Sequence, residues 1–429
     1  MQLIKHKTIK FSLGFILTIL CSSLIVIKSQ FLTSTQQIIV DVNHVIADYS
    51  SNPIGMNLNF LLDTEGIIKP AQKLHIGSLR YPMGEIADYY LFDPERPNKP
   101  KISIKNSHLW FANFANSDAT WKHPLTFDRF IDICYSLNAE PFIVIGIDAL
   151  AYQSKFSYAT FDEVLQAAVD WVKYANIIQG YKIKHWEIGN ENDLPNLHLN
   201  WTAEKYAETV VKFSRAMKQV DPSIKIGVNG MTGIKWWERV MPIVKDDVDF
   251  LVTHQYSPIA NYEQWNSNNW NYTNNVEIAN QAIEKYNPNL KLNVTENSSF
   301  NPGQSHANNV WKMLHNFEML GNTLCFNRLE YLHFWISRWF SPNSYTNDTS
   351  AFNHNYKLMP MAYSLKIWGN YLKKQMVYST KKLRNIRSWA SYDREDNSLN
   401  LFLLNKGVKP HLVTIQLNNY VKNIKNSDR

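Results

Sequence analysis

The chain has 429 residues, 45% of them hydrophobic and 13% aromatic, enough for one large packed domain and a small second one. Its formal charge is +7, but four of those charges are lysines within residues 1–28, and the other basic residues form no long run, which argues against a nucleic-acid-binding surface. Beyond Cys21 only Cys134 and Cys325 remain, too few for a disulfide framework or a cysteine-rich metal site.

The first 30 residues combine a basic start with an apolar run over residues 11–27. This pattern is typical of an export signal, and the run is about long enough to cross a bilayer if it is retained. No small-x-small cleavage site follows, so the sequence leaves open a cleaved signal peptide and an N-terminal membrane anchor. Either one predicts that the rest of the chain lies outside the cytoplasm.

From residue 52 onwards, short apolar strands alternate with amphipathic helices. Eight strands are predicted, over 54–60, 77–81, 141–147, 184–188, 225–228, 250–254, 292–295 and 331–336. The predicted helices cover 128–137, 160–175, 202–220, 237–244, 276–286, 307–320 and 361–372. Such alternation implies a parallel sheet covered on both faces, and eight units over residues 52–375 predict an α/β fold, a (β/α)8 TIM barrel.

A doubly wound open sheet is the alternative fold. It would be favoured by a Gly-rich phosphate loop after the first strand, and the sequence has none there. After the barrel, three strands are predicted over 385–391, 399–404 and 412–417. They predict a small C-terminal β-sheet or sandwich module over residues 377–422, which the strand predicted over 37–41 would join.

Polar and aromatic side chains cluster at the ends of the predicted barrel strands. In a TIM barrel these ends meet at one mouth, where active sites lie. The candidates are Arg80 after the second strand, Asn190 and Glu191 after the fourth, His254 and Tyr256 at the sixth, Glu296 after the seventh, and His333 and Trp335 at the eighth.

Two carboxylates at the ends of two buried strands are what glycoside hydrolysis needs, one as proton donor and one as nucleophile. To cooperate, Glu191 and Glu296 should lie about 5–5.5 Å apart, the spacing of retaining enzymes. Glu187 is predicted to point outward, away from the mouth, so it receives no catalytic role. No HExxH motif or other metal-ligand pattern is present, and the predicted chemistry needs neither a metal nor a cofactor.

These residues carry a resemblance to the clan A glycoside hydrolases. The stretch W-E-I-G-N-E at 186–191 is similar to the acid/base strand of that clan. L-R-Y-P-M-G-E at 79–85 and the A-x-x-W-V-x-Y helix at 168–174 resemble the α-L-arabinofuranosidase type, family 51. T-E-N-S at 295–298 resembles the β-xylosidase type, family 39, and the heparanase type, family 79. The resemblance covers about residues 52–375 and a shortened β module.

The resemblance implies that Glu191 is the general acid/base and Glu296 the nucleophile of a retaining double displacement. Burial and a nearby carboxylate would raise the pKa of the proton donor. Asn190 would donate to the sugar 2-hydroxyl, Tyr256 would hold a nucleophile oxygen, and Trp335 would form the floor under the sugar ring.

Four further residues, Arg80, Glu85, His254 and His333, are predicted to bind substrate. A structural ion pair is the alternative for Arg80, and a satisfied core side chain for His254, His333 and Trp335. Glu85 stands where the family 51 pattern has a sugar-binding Asn, and an ionised carboxylate cannot donate a hydrogen bond.

The sequence therefore predicts a secreted or membrane-anchored glycoside hydrolase that acts on extracellular polysaccharide or oligosaccharide. An arabinofuranoside, a β-xyloside and a uronic-acid-bearing chain are the candidate substrates. The alternative function is a non-catalytic polysaccharide-binding or envelope-structural protein on the same barrel. The linkage, exo or endo action and the oligomeric state are left open.

Overall fold

The structure is a computed structural model that describes residues 36–105, 112–152, 156–194, 201–259, 261–267, 271–299, 308–340, 349–380, 383 and 385–421. The predicted signal or anchor, residues 1–30, lies outside these ranges. Within them, no helix has the length and apolar character that crossing a membrane requires.

The described residues form fifteen strands and nine α-helices. The strands are β1 (Gln36–Asp48), β2 (Ile54–Asn57), β3 (Ser78–Tyr81), β4 (Tyr90–Leu91), β5 (Lys101–Ile102), β6 (Glu140–Ile145), β7 (His185–Ile188), β8 (Lys225–Asn229), β9 (Phe250–Tyr256), β10 (Lys291–Ser298), β11 (Leu329–Phe334), β12 (Gln375–Ser379), β13 (Ile386–Asp393), β14 (Ser398–Asn405) and β15 (Val413–Asn418). The helices are α1 (Ile68–Gln72), α2 (Phe127–Leu137), α3 (Phe161–Val172), α4 (Ala203–Val220), α5 (Ile234–Val244), α6 (Tyr262–Asn266), α7 (Asn274–Tyr286), α8 (Val310–Thr323) and α9 (Ala362–Tyr371).

Eight parallel strands close into a barrel in the order β2-β3-β6-β7-β8-β9-β10-β11, with β11 pairing back onto β2. All eight predicted barrel strands and all seven predicted helices are present, so the predicted fold class is confirmed and the open sheet is wrong. The sequence patterns missed the short helices α1 and α6 and the antiparallel pair β4–β5.

The helices lie outside the barrel and bury their apolar faces against its strands. The first turn of α3 is fixed by a capping box, in which Thr160 accepts a hydrogen bond from the Glu163 N–H and the Glu163 carboxylate accepts one from the Thr160 N–H. On the buried face of this helix, Trp171 meets Trp186 of β7 edge to face at 5.9 Å. This packing helps to hold the strand that precedes Asn190 and Glu191.

The interior of the barrel changes from aromatic to polar along its strands. Phe142, Phe250, Val252 and Tyr331 form a separate apolar cluster inside it. Charged and amide side chains follow towards the C-terminal strand ends, where the predicted mouth lies.

A second, five-stranded sheet of order β14-β13-β12-β1-β15 packs on the barrel. Trp389 and Phe402 on its barrel-facing side contact Trp368, with ring centroids 6.0 Å and 4.1 Å away. Strand β1 is longer than the predicted 37–41, and β12 is a strand of this sheet that the sequence patterns did not predict. Because β12 begins at Gln375, the sheet includes a residue that the prediction gave to the barrel.

Candidate active site

The turn after β7 presents Asn190 and Glu191 at the mouth of the barrel. Gly189 has φ +75°, and a Cβ there would lie 2.0 Å from Oδ1 of Asn192, so only glycine fits. Glu191 itself has φ +49°, which is uncommon for a residue with a side chain. Such conformations persist where the surroundings impose them, and they cluster at functional sites.

A buried polar network imposes the conformation of this turn. Asn192 donates from Nδ2 to Oδ1 of Asp148 at 2.9 Å, and Asn229 donates to Oδ1 of Asn192 at 2.8 Å. Trp201 donates to the same oxygen of Asp148 at 2.9 Å. Burial raises the pKa of Asp148 to about 7. Asp148 and Asn229 were not among the predicted site residues, although both stand at or just after strand ends, as Glu191 does.

Glu296 lies within β10, because this strand runs to Ser298 and not to the predicted end at 295. The pairing with β9 shifts register between Val294 and Glu296, which marks a β-bulge. Bulges re-aim side chains and are frequent beside active sites. Here Glu296 and its neighbour Thr295 both contact side chains of β9, namely Tyr256 and His254.

The carboxylate of Glu296 is held on both oxygens and is only 4% exposed. Oε1 accepts a hydrogen bond from Nη1 of Arg80 at 2.9 Å, and Oε2 accepts one from the Tyr256 hydroxyl. Burial raises the pKa of Glu296 and Glu191 adds to the rise, whereas His254, Arg80 and Tyr256 act to lower it. Two donors therefore support the ionised form of this buried carboxylate.

Arg80 lies beneath the two carboxylates, fully buried. All five of its N–H groups already have acceptors: two on Glu187 and one each on Asn57, Asn190 and Glu296, at 2.8–3.0 Å. No donor is left for a sugar. The predicted substrate contact is therefore wrong for Arg80, and the structural ion pair is what the structure contains.

Glu187 faces into the barrel, opposite to the prediction. Its carboxylate is fully buried and accepts both bonds from Arg80 at 2.9 Å. His185 and Glu187 share the inward face of β7, whereas Trp186 packs outward on α3. A buried arginine requires a buried counter-charge, and Glu187 supplies it for Arg80.

Glu191 is the more exposed of the two predicted catalytic carboxyls, with 24% of its side chain accessible. Its Oε1 lies 2.7 Å from Nδ1 of His254. Burial raises the pKa of Glu191 to about 7, Asp193 adds to the rise, and Arg80 opposes it. One carboxylate oxygen of Glu191 and one of Glu296 lie within 4.8 Å of each other.

Asn190, only 3% exposed, has an amide whose orientation follows from its neighbour. A guanidinium only donates, so the atom 2.8 Å from Nη2 of Arg80 is the amide oxygen. The amide nitrogen has no acceptor in the described part of the chain and remains able to donate, as the prediction for the sugar 2-hydroxyl requires.

The loop after β3 lies directly against the nucleophile candidate. A Cβ on Gly84 would lie 2.3 Å from Oε1 of Glu296 and 2.8 Å from the ring of Trp335. This contact places the half-buried Trp335 beside Glu296. Glu85, the next residue, is exposed and begins the 3-10 turn Glu85–Tyr89.

His333 does not reach the mouth. It is fully buried, its Nε2 lies 3.0 Å from the Ser78 hydroxyl, and its ring meets Phe142 at 5.1 Å. The predicted substrate contact is wrong for His333, because the side chain belongs to the closed interior of the barrel. The alternative of a core histidine describes its position, but only Nε2 is satisfied, since Nδ1 has no hydrogen-bond partner among the described residues.

Glu191, His254 and Glu296 also satisfy the distance criterion for a cation site, with one ligand atom each within 4.8 Å. The contacts argue against a cation there. Nδ1 of His254 already faces Glu191, and the guanidinium of Arg80 lies 2.9 Å from Glu296, where it would repel a metal ion. The arrangement fits an acid and a nucleophile better than a metal centre.

Comparison with known proteins agrees with this geometry. Residues 84–310, more than half of the chain, match the family described as glycosyl hydrolase family 79, N-terminal domain. The chain belongs to glycosyl hydrolase family 79. The matched range contains both Glu191 and Glu296. T-E-N-S at 295–298 is the stretch that resembles family 79, whereas L-R-Y-P-M-G-E at 79–85 and the helix at 168–174 resemble family 51.

This family 79 chain has curated relatives named arabinofuranosidases. Over 208 residues it is 26% identical to probable alpha-L-arabinofuranosidase C of Aspergillus clavatus. This alignment covers 44% of this chain and 35% of that protein. The chain is 25% identical over 228 residues to the intracellular exo-alpha-(1->5)-L-arabinofuranosidase of Halalkalibacterium halodurans, covering 46% and 40%. The matches thus span about a third to two fifths of the length of these relatives.

Solved structures resemble the family 79 chain over nearly all its length. The alpha-L-arabinofuranosidase of Thermotoga maritima in complex with arabinose has a TM-score of 0.70 at 16% identity, covering 90% of this chain and 88% of that one. A family 44 xyloglucanase of Paenibacillus polymyxa has a TM-score of 0.61 at 14% identity, covering 90% of both. These likenesses show the shared fold, and the predicted resemblance to clan A is confirmed.

Proposed function

We propose that this chain is a retaining glycoside hydrolase that cleaves O-glycosidic bonds in extracellular polysaccharide or oligosaccharide. The observation that carries the proposal is the pair Glu191 and Glu296. One carboxylate oxygen of each lies within 4.8 Å of the other, with Glu191 just after β7 and Glu296 near the end of β10, which suits the short separation of retaining enzymes. One carboxyl has a pKa raised to about 7, and the other is held by two hydrogen-bond donors.

In the first step, an oxygen of Glu296 attacks the anomeric carbon while the bond to the leaving oxygen breaks. The proton of Glu191 passes to that oxygen. A proton donor works best with a pKa near the working pH, and burial supplies this for Glu191. Arg80 and Tyr256 favour the ionised form of the attacking carboxylate against the effect of burial, and they fix its direction.

In the second step, a water molecule replaces the leaving group. Esterified Glu296 has lost its charge, so the pKa of Glu191 falls and this residue accepts the proton of the water. The hydroxide oxygen attacks the anomeric carbon, and Glu296 departs as a carboxylate. Arg80 and Tyr256 receive that returning charge.

The sugar ring would lie between Asn190 and Trp335. Asn190 has a free amide donor for the 2-hydroxyl, and Trp335 offers a half-buried aromatic surface beside Glu296. The aromatic surface continues from Trp335 to Trp339 at 5.8 Å and from Trp339 to Phe340 at 5.3 Å. An extended aromatic wall favours a substrate of more than one sugar unit.

The names of the relatives make an arabinofuranoside the first sugar to test, with a β-xyloside and a uronic-acid-bearing chain beside it. Glu85 bears on the choice among these sugars. Its ionised carboxylate can only accept hydrogen bonds, whereas the Asn of the family 51 pattern can also donate them. The basic, apolar leader supports a location outside the cytoplasm, secreted, periplasmic or membrane-anchored through residues 11–27.

The test is hydrolysis of 4-nitrophenyl α-L-arabinofuranoside, β-xyloside, β-glucuronide and β-galactoside by the full-length chain in mild detergent. Glu296→Ala should abolish turnover of the accepted glycoside. Glu191→Ala should spare a 2,4-dinitrophenyl glycoside in the first step, because that leaving group needs little protonation, and azide should rescue it as a glycosyl azide. Glu208→Ala, an exposed residue on α4, is the matched control.

The outcomes separate the proposal from its alternative. Turnover that survives in Glu296→Ala would overturn the assignment of the nucleophile. If neither the glycosides nor polysaccharides are cleaved but polysaccharide is bound, the chain is a binding protein on a hydrolase barrel.

A further inference from the structure

The two ring nitrogens of His254 join the predicted acid to a second strand. Nδ1 lies 2.7 Å from Oε1 of Glu191, and Nε2 lies 3.1 Å from the Thr295 hydroxyl. His254 is 2% exposed and Thr295 is fully buried. Glu191, His254 and Thr295 therefore form one chain of hydrogen bonds that runs from the mouth into the barrel.

A neutral imidazole has one N–H donor and one acceptor nitrogen, and the partner of one nitrogen decides the state of the other. Burial lowers the pKa of His254, which favours this neutral form. Two arrangements of the chain are then available. In the first, Nδ1–H of His254 donates to Glu191 and Nε2 accepts a hydrogen bond from the Thr295 hydroxyl. In the second, both bonds run in the opposite direction.

The two arrangements place the proton of Glu191 on different oxygens. When Nδ1 of His254 carries a hydrogen, Oε1 of Glu191 accepts it and any proton of the carboxyl sits on Oε2. In the opposite arrangement the proton sits on Oε1 and points at His254. Only a proton on the outer oxygen can reach the leaving group of a substrate.

The Thr295 hydroxyl selects between the two arrangements. In the described structure the only hydrogen-bond partner of this hydroxyl is Nε2 of His254. If Nε2 accepts, the hydroxyl hydrogen is bonded. If Nε2 donates, that hydrogen is buried without an acceptor, which costs free energy. The Nδ1–H tautomer of His254 is therefore favoured.

We propose that Thr295 is a positioning residue for acid catalysis: its hydroxyl donates to Nε2 of His254, fixes the Nδ1–H tautomer, and so keeps the exchangeable proton of Glu191 on the oxygen that faces the substrate. This inference rests on the proposed hydrolase function. The hydrogens of Thr295 and His254 stay in place in both steps, and only the proton on the outer oxygen of Glu191 moves.

The bulge in β10 makes the arrangement possible. Strict alternation would send Thr295 and Glu296 to opposite faces of the strand. The register shift beside Thr295 lets this residue reach His254 while Glu296 reaches Tyr256. One irregularity of the backbone thus orients both carboxyl groups, Glu296 directly and Glu191 through His254.

Nitrogen NMR of the full chain labelled with 15N-histidine tests the tautomer directly, with His254→Gln used to assign the signal. Protonated and unprotonated ring nitrogens resonate in separate ranges. We expect Nδ1 of His254 to be protonated and Nε2 to accept a hydrogen bond that persists in Thr295→Ser and disappears in Thr295→Val. An unprotonated Nδ1 in the wild type overturns the inference.

The kinetic test compares two leaving groups. Thr295→Val should lower kcat/KM about tenfold for a glycoside with a poorly acidic leaving group, and much less for the 2,4-dinitrophenyl glycoside, which needs little acid assistance. Thr295→Ser should restore the wild-type dependence. Thr253→Val is the matched control, because Thr253 directly precedes His254 and its buried hydroxyl has no hydrogen-bond partner among the described residues.

Equal losses of Thr295→Val on both leaving groups would assign Thr295 a purely structural role and overturn the inference. Absence of turnover in the wild type would instead sink the proposed function, whatever the tautomer. The two failures are thereby distinguished.

Discussion

Glu191 and Glu296 are chemically identical side chains, so their neighbours must separate their roles. Glu296 has a donor on each oxygen, Arg80 and Tyr256, and is nearly closed to solvent. Glu191 faces a neutral histidine and is open on one side. The two donors favour the carboxylate of Glu296 and oppose the effect of its burial, whereas burial of Glu191 favours its carboxylic acid form.

The raised pKa of Glu191 makes the stability of the fold depend on pH. The folded-state pKa of about 7 exceeds the ordinary value of 4.5. The contribution of Glu191 to the free energy of unfolding is therefore complete below about pH 4.5. It decreases as Glu191 ionises in the unfolded chain, and it is lost once the pH passes about 7. Glu191→Gln removes this titration.

We therefore compare the free energy of unfolding of Glu191→Gln with that of the wild type at two pH values. The difference should shift in favour of Glu191→Gln by on the order of 1–3 kcal/mol between pH 4.5 and pH 8. Urea unfolding across this pH range measures it. Glu208→Gln, an exposed substitution on α4, is the control variant. A pH-independent difference for Glu191→Gln would mean that its carboxyl is not perturbed.

Arg80 acts on the nucleophile through its geometry as well as its charge. Lysine keeps the charge but cannot supply five donors in a planar fork. In Arg80→Lys some bonds to Glu187, Asn190 or Glu296 are lost, and the pKa of Glu296 should rise because a donor to its carboxylate is missing.

The expected result for Arg80→Lys is a loss of about a hundredfold in kcat and an acid limb of the pH profile displaced to higher pH. Rates on a 2,4-dinitrophenyl glycoside between pH 4 and 8 measure both. Arg239→Lys, which breaks an exposed bidentate pair with Glu204, is the control. An unmoved acid limb would show that Arg80 does not set the ionisation of Glu296.

At the scale of the elements, the strand pattern predicted the barrel but not which side chains face its interior. Strands of a parallel barrel are buried on both faces, so alternation does not tell which face is inward. For this reason Glu187 was assigned to the wrong face of β7. The bulge in β10 leaves no mark in composition either, so the proximity of Thr295 to His254 could not be predicted.

Position along a strand was the more reliable signal. Residues at strand ends, Asn190, Glu191, His254 and Tyr256, do lie together at the mouth. The prediction for His333 was wrong although it lies one residue before the end of β11, because it pairs with Gly55 of β2 and its side chain is fully buried inside the barrel. Sequence pattern gives the order of the strands, whereas shear and register decide the depth at which a side chain lies.

The loop after β3 shows how closely an element can approach the reacting groups. A methyl group on Gly84 would lie 2.3 Å from Oε1 of Glu296, so the loop or the carboxylate must move. We expect Gly84→Ala to lower kcat about a hundredfold while the unfolding temperature changes little, because the displaced groups lie at the mouth and not in the core.

Gly407→Ala in the β module is the matched control, since its added methyl would meet only a side-chain amide at 3.0 Å. The kcat and the unfolding temperature of both variants measure these effects. Wild-type kcat in Gly84→Ala would mean that the loop yields without disturbing Glu296.

At the scale of the whole molecule, the barrel and the β module are joined by a buried ion cluster. Glu318 of α8, 1% exposed, accepts from Nε of Arg387 at 2.9 Å and lies 3.0 Å from Nζ of Lys406. It also accepts from the indole of Trp265 at 2.7 Å. One carboxylate therefore balances two cations, one on β13 and one just after β14.

Removing that carboxylate leaves two buried cations without their shared anion. Breaking a buried ion pair typically costs about 3–5 kcal/mol, far more than the loss of a surface pair. We expect Glu318→Ala to lower the free energy of unfolding by about that amount. The barrel and module should also separate into two unfolding transitions, because the cations belong to the module and the anion to the barrel.

Denaturant unfolding followed by tryptophan fluorescence and by far-UV circular dichroism detects both effects, since a split transition makes the two probes disagree. Glu208→Ala on α4 should stay within about 0.5 kcal/mol of the wild type. If Glu318→Ala behaves like this control, aromatic packing of Trp389 and Phe402 on Trp368 holds the module by itself, and the ion cluster contributes orientation without stability.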